Sequence, residues 1–408
     1  MHTLCVVQQV PRYSSVFRDE TKLDINYVPH RLPHREVELR LLNEFFSFAL
    51  QSPERMSQRV MITGDVGAGK TALAQRFGGD IMLEAGKRRI SLRYVHVNCR
   101  ECRGSLFLVL QRVVSTFHPN FPKRGYSAEE LLGILVQMLD EENAYVILAL
   151  DEFDSLVEKE GSEAIYELTR LQEARQGKPQ RLSLICILRS LKAVERLDAS
   201  TRSTLQSNIV NLPNYTKQQL TGILNDRVVL ALKPSAAPEE TMSLIAEIAM
   251  SENGNARFGI ELLWRAGKYA DAEDLQVVTP ECVRKAVSSI VPSLRRNELA
   301  SLSFHEKLLL LGIARLFKES QKACVSLAEA EQAYEIACEE YAAKPNSHTQ
   351  LWKYLQSLSN LGVVKTEVSS VAPRGRSTLI YLPRIPAYEL EKQLTELLEK
   401  GETANNGH

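Results

Sequence analysis

The chain has 408 residues, 44% apolar and 25% charged, with 50 basic side chains against 50 acidic ones. That length exceeds one compact core and predicts two or three domains, while zero net charge argues against indiscriminate polyanion binding unless positive charge is gathered locally. No apolar run approaches the ~20 residues of a membrane span and no charged-then-apolar leader opens the chain. Seven cysteines scattered from Cys5 to Cys338 suit reduced cytosolic thiols better than a disulfide framework.

Residues 1–15 read as an irregular arm. From residue 35 to 51, Val37, Leu39, Leu41, Leu42, Phe45, Phe46 and Leu50 recur at helical spacing. Strands and helices then alternate: strand 60–62, helix 70–85, strand 92–97, helices 106–117 and 128–139, strand 145–150, helix 162–174 and strand 182–188. Short apolar strands separated by helices imply a parallel sheet covered on both faces, so the fold class is an α/β nucleotide-binding core. Cys99 and Cys102 form a lone C-x-x-C, and with no second pair and no neighbouring His it reads as a strand end followed by a helix start. After Pro213 only helices are predicted, the first opened by a capping box of Thr216 with Gln219. Three helices at 304–318, 327–342 and 347–361 precede two strands, 363–368 and 378–382. That is the order of a winged helix. The expected division is a core with its arm over 1–208, a helical lid over 209–295, a winged-helix domain over 296–396 and a disordered tail over 397–408.

Gly64-Asp65-Val66-Gly67-Ala68-Gly69-Lys70-Thr71 fits the phosphate-binding loop G-x-x-x-x-G-K-[ST] and stands between a strand and a helix. Glycines there let backbone N–H groups wrap phosphate oxygens at a helix N-terminus, with Lys70 reaching the β- and γ-phosphates and Thr71 a Mg²⁺ ion. Asp151-Glu152 closes the apolar strand 145–150 at the sheet edge where α/β folds bind ligands. Asp151 is expected to hold Mg²⁺ and Glu152 to orient and deprotonate the attacking water. Together the two motifs imply an ATP/ADP site.

Between residues 344 and 384 stand six basic residues, Lys344, Lys353, Lys365, Arg374, Arg376 and Arg384, against the single acid Glu367. The helix before it carries Glu329, Glu331, Glu335, Glu339 and Glu340. Such segregation suits a recognition helix and wing lying on phosphates. Ser347, His348, Thr349, Gln350, Lys353, Tyr354 and Ser357 are the candidates for the major groove, and Arg374 and Arg376 for the minor groove. Docking of another protein by the winged helix is the alternative.

On these motifs the chain resembles the archaeal origin-recognition and cell-division-cycle initiators, AAA+ ATPases with a C-terminal winged helix. Residues 15–36 (SVFRDETKLDINYVPHRLPHRE) look like their N-terminal signature, and 150–154, 191–198 and 254–257 like further family strings. The resemblance implies that Tyr27, Val28, Pro29, His34 and Arg35 line the adenine pocket. It also implies that Arg257 reaches the γ-phosphate from the lid as sensor two. The loop 119–127 matches the initiator insertion, with Lys123, Arg124 and Tyr126 on the DNA backbone. Two departures stand out: Arg189-Ser190 where the family carries Asn, and Ala199-Ser200-Thr201-Arg202 after Asp198 where it carries P-R-V-K. They imply slow ATP hydrolysis. The expected function is a chromosome-associated, cytoplasmic initiator binding duplex origin DNA, with the replicative minichromosome-maintenance helicase and paralogous initiators as partners. The alternative is a nucleotide-binding regulator or repressor that loads no helicase.

Overall fold

The structure, a computed structural model, describes residues 15–171, 177–205, 208–290, 296–320, 322–369 and 377–405. The chain divides into two units. One holds Val28–Gln219 with Asn253–Arg257; the other holds the segment up to Tyr27, Leu220–Glu252 and the chain from Phe258 onward.

The first unit runs α1 (Glu36–Phe45), β1 (Arg59–Gly64), α2 (Lys70–Lys87), β2 (Leu92–Asn98), α3 (Leu106–Phe117), α4 (Ala128–Glu141), β3 (Tyr145–Asp151), α5 (Phe153–Arg170), β4 (Leu182–Leu188), α6 (Lys192–Glu195), α7 (Ala199–Leu205) and β5 (Asn208–Leu212). Its five strands are parallel in the order β2-β3-β4-β1-β5. Every residue of β3 is buried, and the strand's two-residue period sends them to opposite cores. Tyr145, Ile147 and Ala149 pack with Leu42, Phe46 and Phe77 of the α1–α2 layer. Val146, Leu148 and Leu150 pack with Val109, Leu135 and Phe153 of the α3–α5 layer. Two covered faces explain why this strand is apolar throughout rather than alternating. Helix α5 breaks at Gly161, whose φ is 70°, so the helix expected from 162 is its second half, to Arg170; residues 172–174 of that expectation lie outside the described residues.

The second unit contains α8 (Lys217–Ala231, its first turn in the other unit), α9 (Glu239–Ser251), α10 (Ala256–Ala272, its first two residues in the other unit) and α11 (Pro280–Ile290). The predicted capping box forms, Thr216 Oγ1 accepting from Gln219 N and Gln219 Oε1 from Thr216 N. The signature segment 15–27 packs on these helices, with Val16 and Leu23 buried. Ser15 Oγ and Val16 N donate to Asp271 at 2.6 and 2.7 Å. Trp264 Nε1 and Lys268 Nζ donate to Glu20 at 2.7 and 2.8 Å.

The same unit continues with α12 (Arg296–Ala300), α13 (Phe304–Ser320), β6 (Cys324–Ser326), α14 (Leu327–Glu340), α15 (His348–Asn360), β7 (Lys365–Ser369), β8 (Ser377–Tyr381) and α16 (Ala387–Asn405). The three helices and the β7–β8 hairpin are the predicted winged helix. The short β6 adds an antiparallel third strand against β8, too brief to announce itself by alternation. The disordered tail expected from 397 is corrected: α16 continues to Asn405. Leu390, Leu394 and Leu398 recur every fourth residue and are buried in the winged-helix core, which gives this segment a face to bury.

Arg284 of α11 has no exposed surface and joins lid and winged helix. It donates to the Lys322 and Leu382 carbonyls at 2.7 and 3.0 Å and to Glu281 at 3.1 Å, and stands 4.5 Å from the Phe317 ring centroid. Among the described residues no helix is long and apolar enough to cross a membrane.

Candidate functional site

Strand β4 lies between β1 and β3, pairing Thr63 with Leu188 and Leu150 with Cys186. That register brings the phosphate loop, Asp151-Glu152 and Arg189-Ser190 to one edge of the sheet, although they are far apart in sequence.

The loop leaves β1 at Gly64 and enters α2 at Lys70, with φ of 150°, 81° and 90° at Gly64, Gly67 and Gly69. These left-handed values are open to glycine at little cost. A Cβ on Gly67 would fall 2.0 Å from Asn255 Oδ1, and one on Gly69 2.8 Å from the Tyr215 hydroxyl. The loop is therefore flanked by two residues that sequence reading missed. A Cβ on Gly254, whose φ is 70°, would fall 2.5 Å from the Tyr215 carbonyl oxygen, which seats the 254–257 string against the loop. Lys70 Nζ donates to the Gly64 and Asp65 carbonyls at 2.6 and 2.8 Å. Burial pulls its pKa below the ordinary value against the opposing charges of Asp151 and Asp154.

Thr71 Oγ1 donates to Asp151 Oδ2 at 2.7 Å, the Glu152 amide donates to Oδ1 at 2.8 Å, and His96 Nε2 stands 3.3 Å from Oδ2. Burial raises the Asp151 pKa, but the contacts from His96 and Thr71 outweigh it and hold the carboxyl below its ordinary value. A hydroxyl and an ionised carboxylate side by side are hard oxygen donors of the kind Mg²⁺ takes. Glu152 caps α5 in the left-handed region at φ 49°, a conformation that strains a non-glycine residue by about 1–2 kcal/mol and is common at functional positions. Its Oε2 lies 3.6 Å from Arg100 Nη1, a partner with no sequence signal.

Arg189 and Ser190 line a cleft of about 410 Å³ with Thr63, Gly64, Asp65, Asn211 and Asn214. The Arg189 amide donates to Asp154 at 3.1 Å while its side chain is exposed. Among the proposed adenine residues, Pro29 and Arg35 are buried, Val28 half-buried and His34 exposed; Tyr27 belongs to the other unit. There Tyr27 is flanked by Lys22 and Arg227, 4.5 and 5.1 Å from its ring centroid. Arg257 is exposed at the start of α10 and is grouped with the core unit. Cys99 and Cys102 turn inward and join the core.

Lys123, Arg124 and Tyr126 are exposed on the α3–α4 loop, closed by the Ser127–Glu130 capping box. In the winged helix Ser347, His348, Thr349 and Lys353 are exposed and Gln350 and Ser357 half-buried. His348 faces Glu331 at 3.1 Å, and Tyr354 stacks on His305 and accepts from Asn346 at 3.0 Å. Lys365 pairs with the buried Glu247 of α9 and keeps 43% of its side chain exposed. Arg374 and Arg376 lie outside the described residues.

The chain matches the profiles of an AAA domain over residues 55–197, a Cdc6 AAA+ ATPase-type lid domain over 221–288 and a CDC6 C-terminal winged helix domain over 297–388. It is 33% identical over 384 residues to an ORC1-type DNA replication protein 2 of Sulfurisphaera tokodaii, covering 92% of each chain. Cdc6p from Pyrobaculum aerophilum has a similar structure, with a TM-score of 0.82 and 29% identity over 95% of this chain and all of that one. So has the Aeropyrum pernix ORC1 protein, solved in complex with DNA, at TM-score 0.62 and 28% identity over 93% and 97%. The ORC2 protein of the same organism, solved with ADPNP and ADP, matches at 0.62 and 27% over 95% and 99%.

Proposed function

We propose, from the premise that the chain belongs to the ORC1/Cdc6-type family of DNA replication initiators, that it is an ATP-switched initiator binding duplex origin DNA and helping to recruit the replicative helicase. The observation that carries this reading is the meeting of Lys70, Thr71, Asp151 and Glu152 at one sheet edge, in a chain that ends in a winged helix.

In this reading ATP lies along Gly64–Thr71 with its phosphates on the loop amides. Lys70 exchanges its two carbonyl partners for phosphate oxygens, which supplies charge where the loop alone supplies dipoles. Mg²⁺ held by Thr71 and Asp151 would neutralise phosphate charge. Glu152 orients a water and takes its proton, and Arg257 approaches the γ-phosphate from α10, so nucleotide state sets the lid angle. The DNA contacts are Lys123, Arg124 and Tyr126 on the insertion, Ser347, His348, Gln350 and Lys353 on the recognition helix, and Arg374 and Arg376 in the wing. The three domains divide near residues 208 and 295, and the protein acts on the chromosome beside paralogous initiators.

A regulator that binds nucleotide and DNA but loads no helicase is the second reading. It is favoured by the exposed Arg189 where an amide is expected. Footprinting on the protein's own genomic DNA, with ATP, with ADP and for Glu152→Gln, tests the first. A discrete, nucleotide-dependent footprint supports it, and weak sequence-blind binding overturns it. Recruitment of the helicase from a DNA-bound complex separates the two readings.

A further inference from the structure

We propose that His96 is the positioning residue of the divalent-ion site, its Nε2 fixing the Asp151 carboxylate between β2 and β3. The inference rests on the nucleotide reading above and deepens it.

Tyr94 and His96 are two residues apart on β2 and share a face. Tyr94 meets Phe77 of α2 edge-on with ring centroids 6.3 Å apart, so His96 lies on the α2 side, toward the strand's C-terminal end. Asp151 ends the neighbouring strand, opposite Asn98. The carboxylate is 5% exposed and its oxygens are divided: Oδ1 takes the Glu152 amide, while Oδ2 takes the Thr71 hydroxyl and faces His96 Nε2 at 3.3 Å. That nitrogen is itself buried and makes no aligned hydrogen bond. A buried polar atom without a hydrogen bond is uncommon in folded proteins, and this one stands 3.3 Å from the oxygen that takes the Thr71 hydroxyl. A nitrogen so placed can lock the carboxylate's rotation, or meet a water carried by the ion, without being a ligand itself. Partners of this kind change metal affinity by about 10–100-fold when removed. The sequence offered no sign of it, since a histidine in a strand reads as packing.

The test is binding of a fluorescent ATP analogue to the full-length protein, titrated with Mg²⁺ from an EDTA baseline, for the unsubstituted chain, His96→Ala and His96→Gln. The expected result is unchanged affinity in EDTA for all three. The Mg²⁺ concentration that half-saturates the tightening should rise about 10-fold or more in His96→Ala and largely recover in His96→Gln, whose amide can reach Asp151. Equal Mg²⁺ dependence in His96→Ala and the unsubstituted protein overturns the proposal. So does a parallel loss in EDTA and Mg²⁺ that Gln fails to rescue, which would make His96 a packing residue. No nucleotide binding by the unsubstituted protein overturns the nucleotide reading, and this assignment with it.

Discussion

The guanidinium of Arg35 stands over the ring of Tyr215, 4.1 Å from its centroid, and its Nε and Nη2 both donate to the Ala68 carbonyl of the phosphate loop. Nη2 also reaches the Pro213 carbonyl at 2.7 Å, and Nη1 reaches Glu38 at 3.2 Å. Arg35 is 2% exposed, so the arginine of the signature's second His-Arg pair supports the loop's backbone. Arg35→Lys should lower nucleotide affinity and destabilise the core, because an ammonium cannot reproduce the fork. Arg35→Ala should cost on the order of 3 kcal/mol by leaving buried carbonyls unmet. Chemical denaturation with and without nucleotide measures both effects.

Lys70→Ala should abolish tight nucleotide binding, since it removes the ammonium that sits on the Gly64–Asp65 turn. Glu152→Gln should keep ATP bound and stop turnover. Equilibrium binding and single-turnover phosphate release separate these outcomes. Glu152→Gly should also stop turnover while relieving the left-handed strain, and a small gain in melting temperature would show it.

Arg284→Ala should destabilise the lid and winged helix by about 3–5 kcal/mol, the cost of breaking a buried charged group's contacts on one side. Arg284→Lys should rescue little of it. Hydrogen exchange at Lys322–Ser326 and 380–387 reads the loss where it occurs.

Lys353→Ala should weaken binding to all duplexes and reduce the slope of log affinity against log salt by about one. Lys365→Ala should leave that slope unchanged, because Glu247 already holds its ammonium. Titrations at several salt concentrations check the pair, and a changed slope for Lys365→Ala would return that residue to the DNA face.

Glu329 caps α14 through the Ser326 amide and pairs with Lys322, contacts that together hold its pKa at about 2 against an ordinary 4.5. A depressed folded-state pKa stabilises above the unfolded value and is lost as pH falls toward the folded one. Stability of the winged helix should therefore decline between about pH 4.5 and 2, and Glu329→Gln should flatten that decline. Unfolding monitored across that window decides it.

Much of this protein was legible in its residues. The glycines of the phosphate loop, the all-apolar strand ending in Asp151-Glu152 and the helix order of the last hundred residues each state a local requirement, and local requirements are written locally. The short β6 was not legible, because three residues carry no period. The last helix was legible in principle, through Leu390, Leu394 and Leu398, but its charged outer face masked them.

What only the tertiary structure decided is which distant side chains meet. Parallel pairing in the order β2-β3-β4-β1-β5 sets His96 beside Asp151 and Arg100 beside Glu152. The return of the chain at 253–257 places Asn255 on Gly67, and the approach of β7 to α9 sets Lys365 beside Glu247. Each of these depends on strand order or domain packing, and a chain's local pattern fixes the faces of its elements but not the neighbours those faces find.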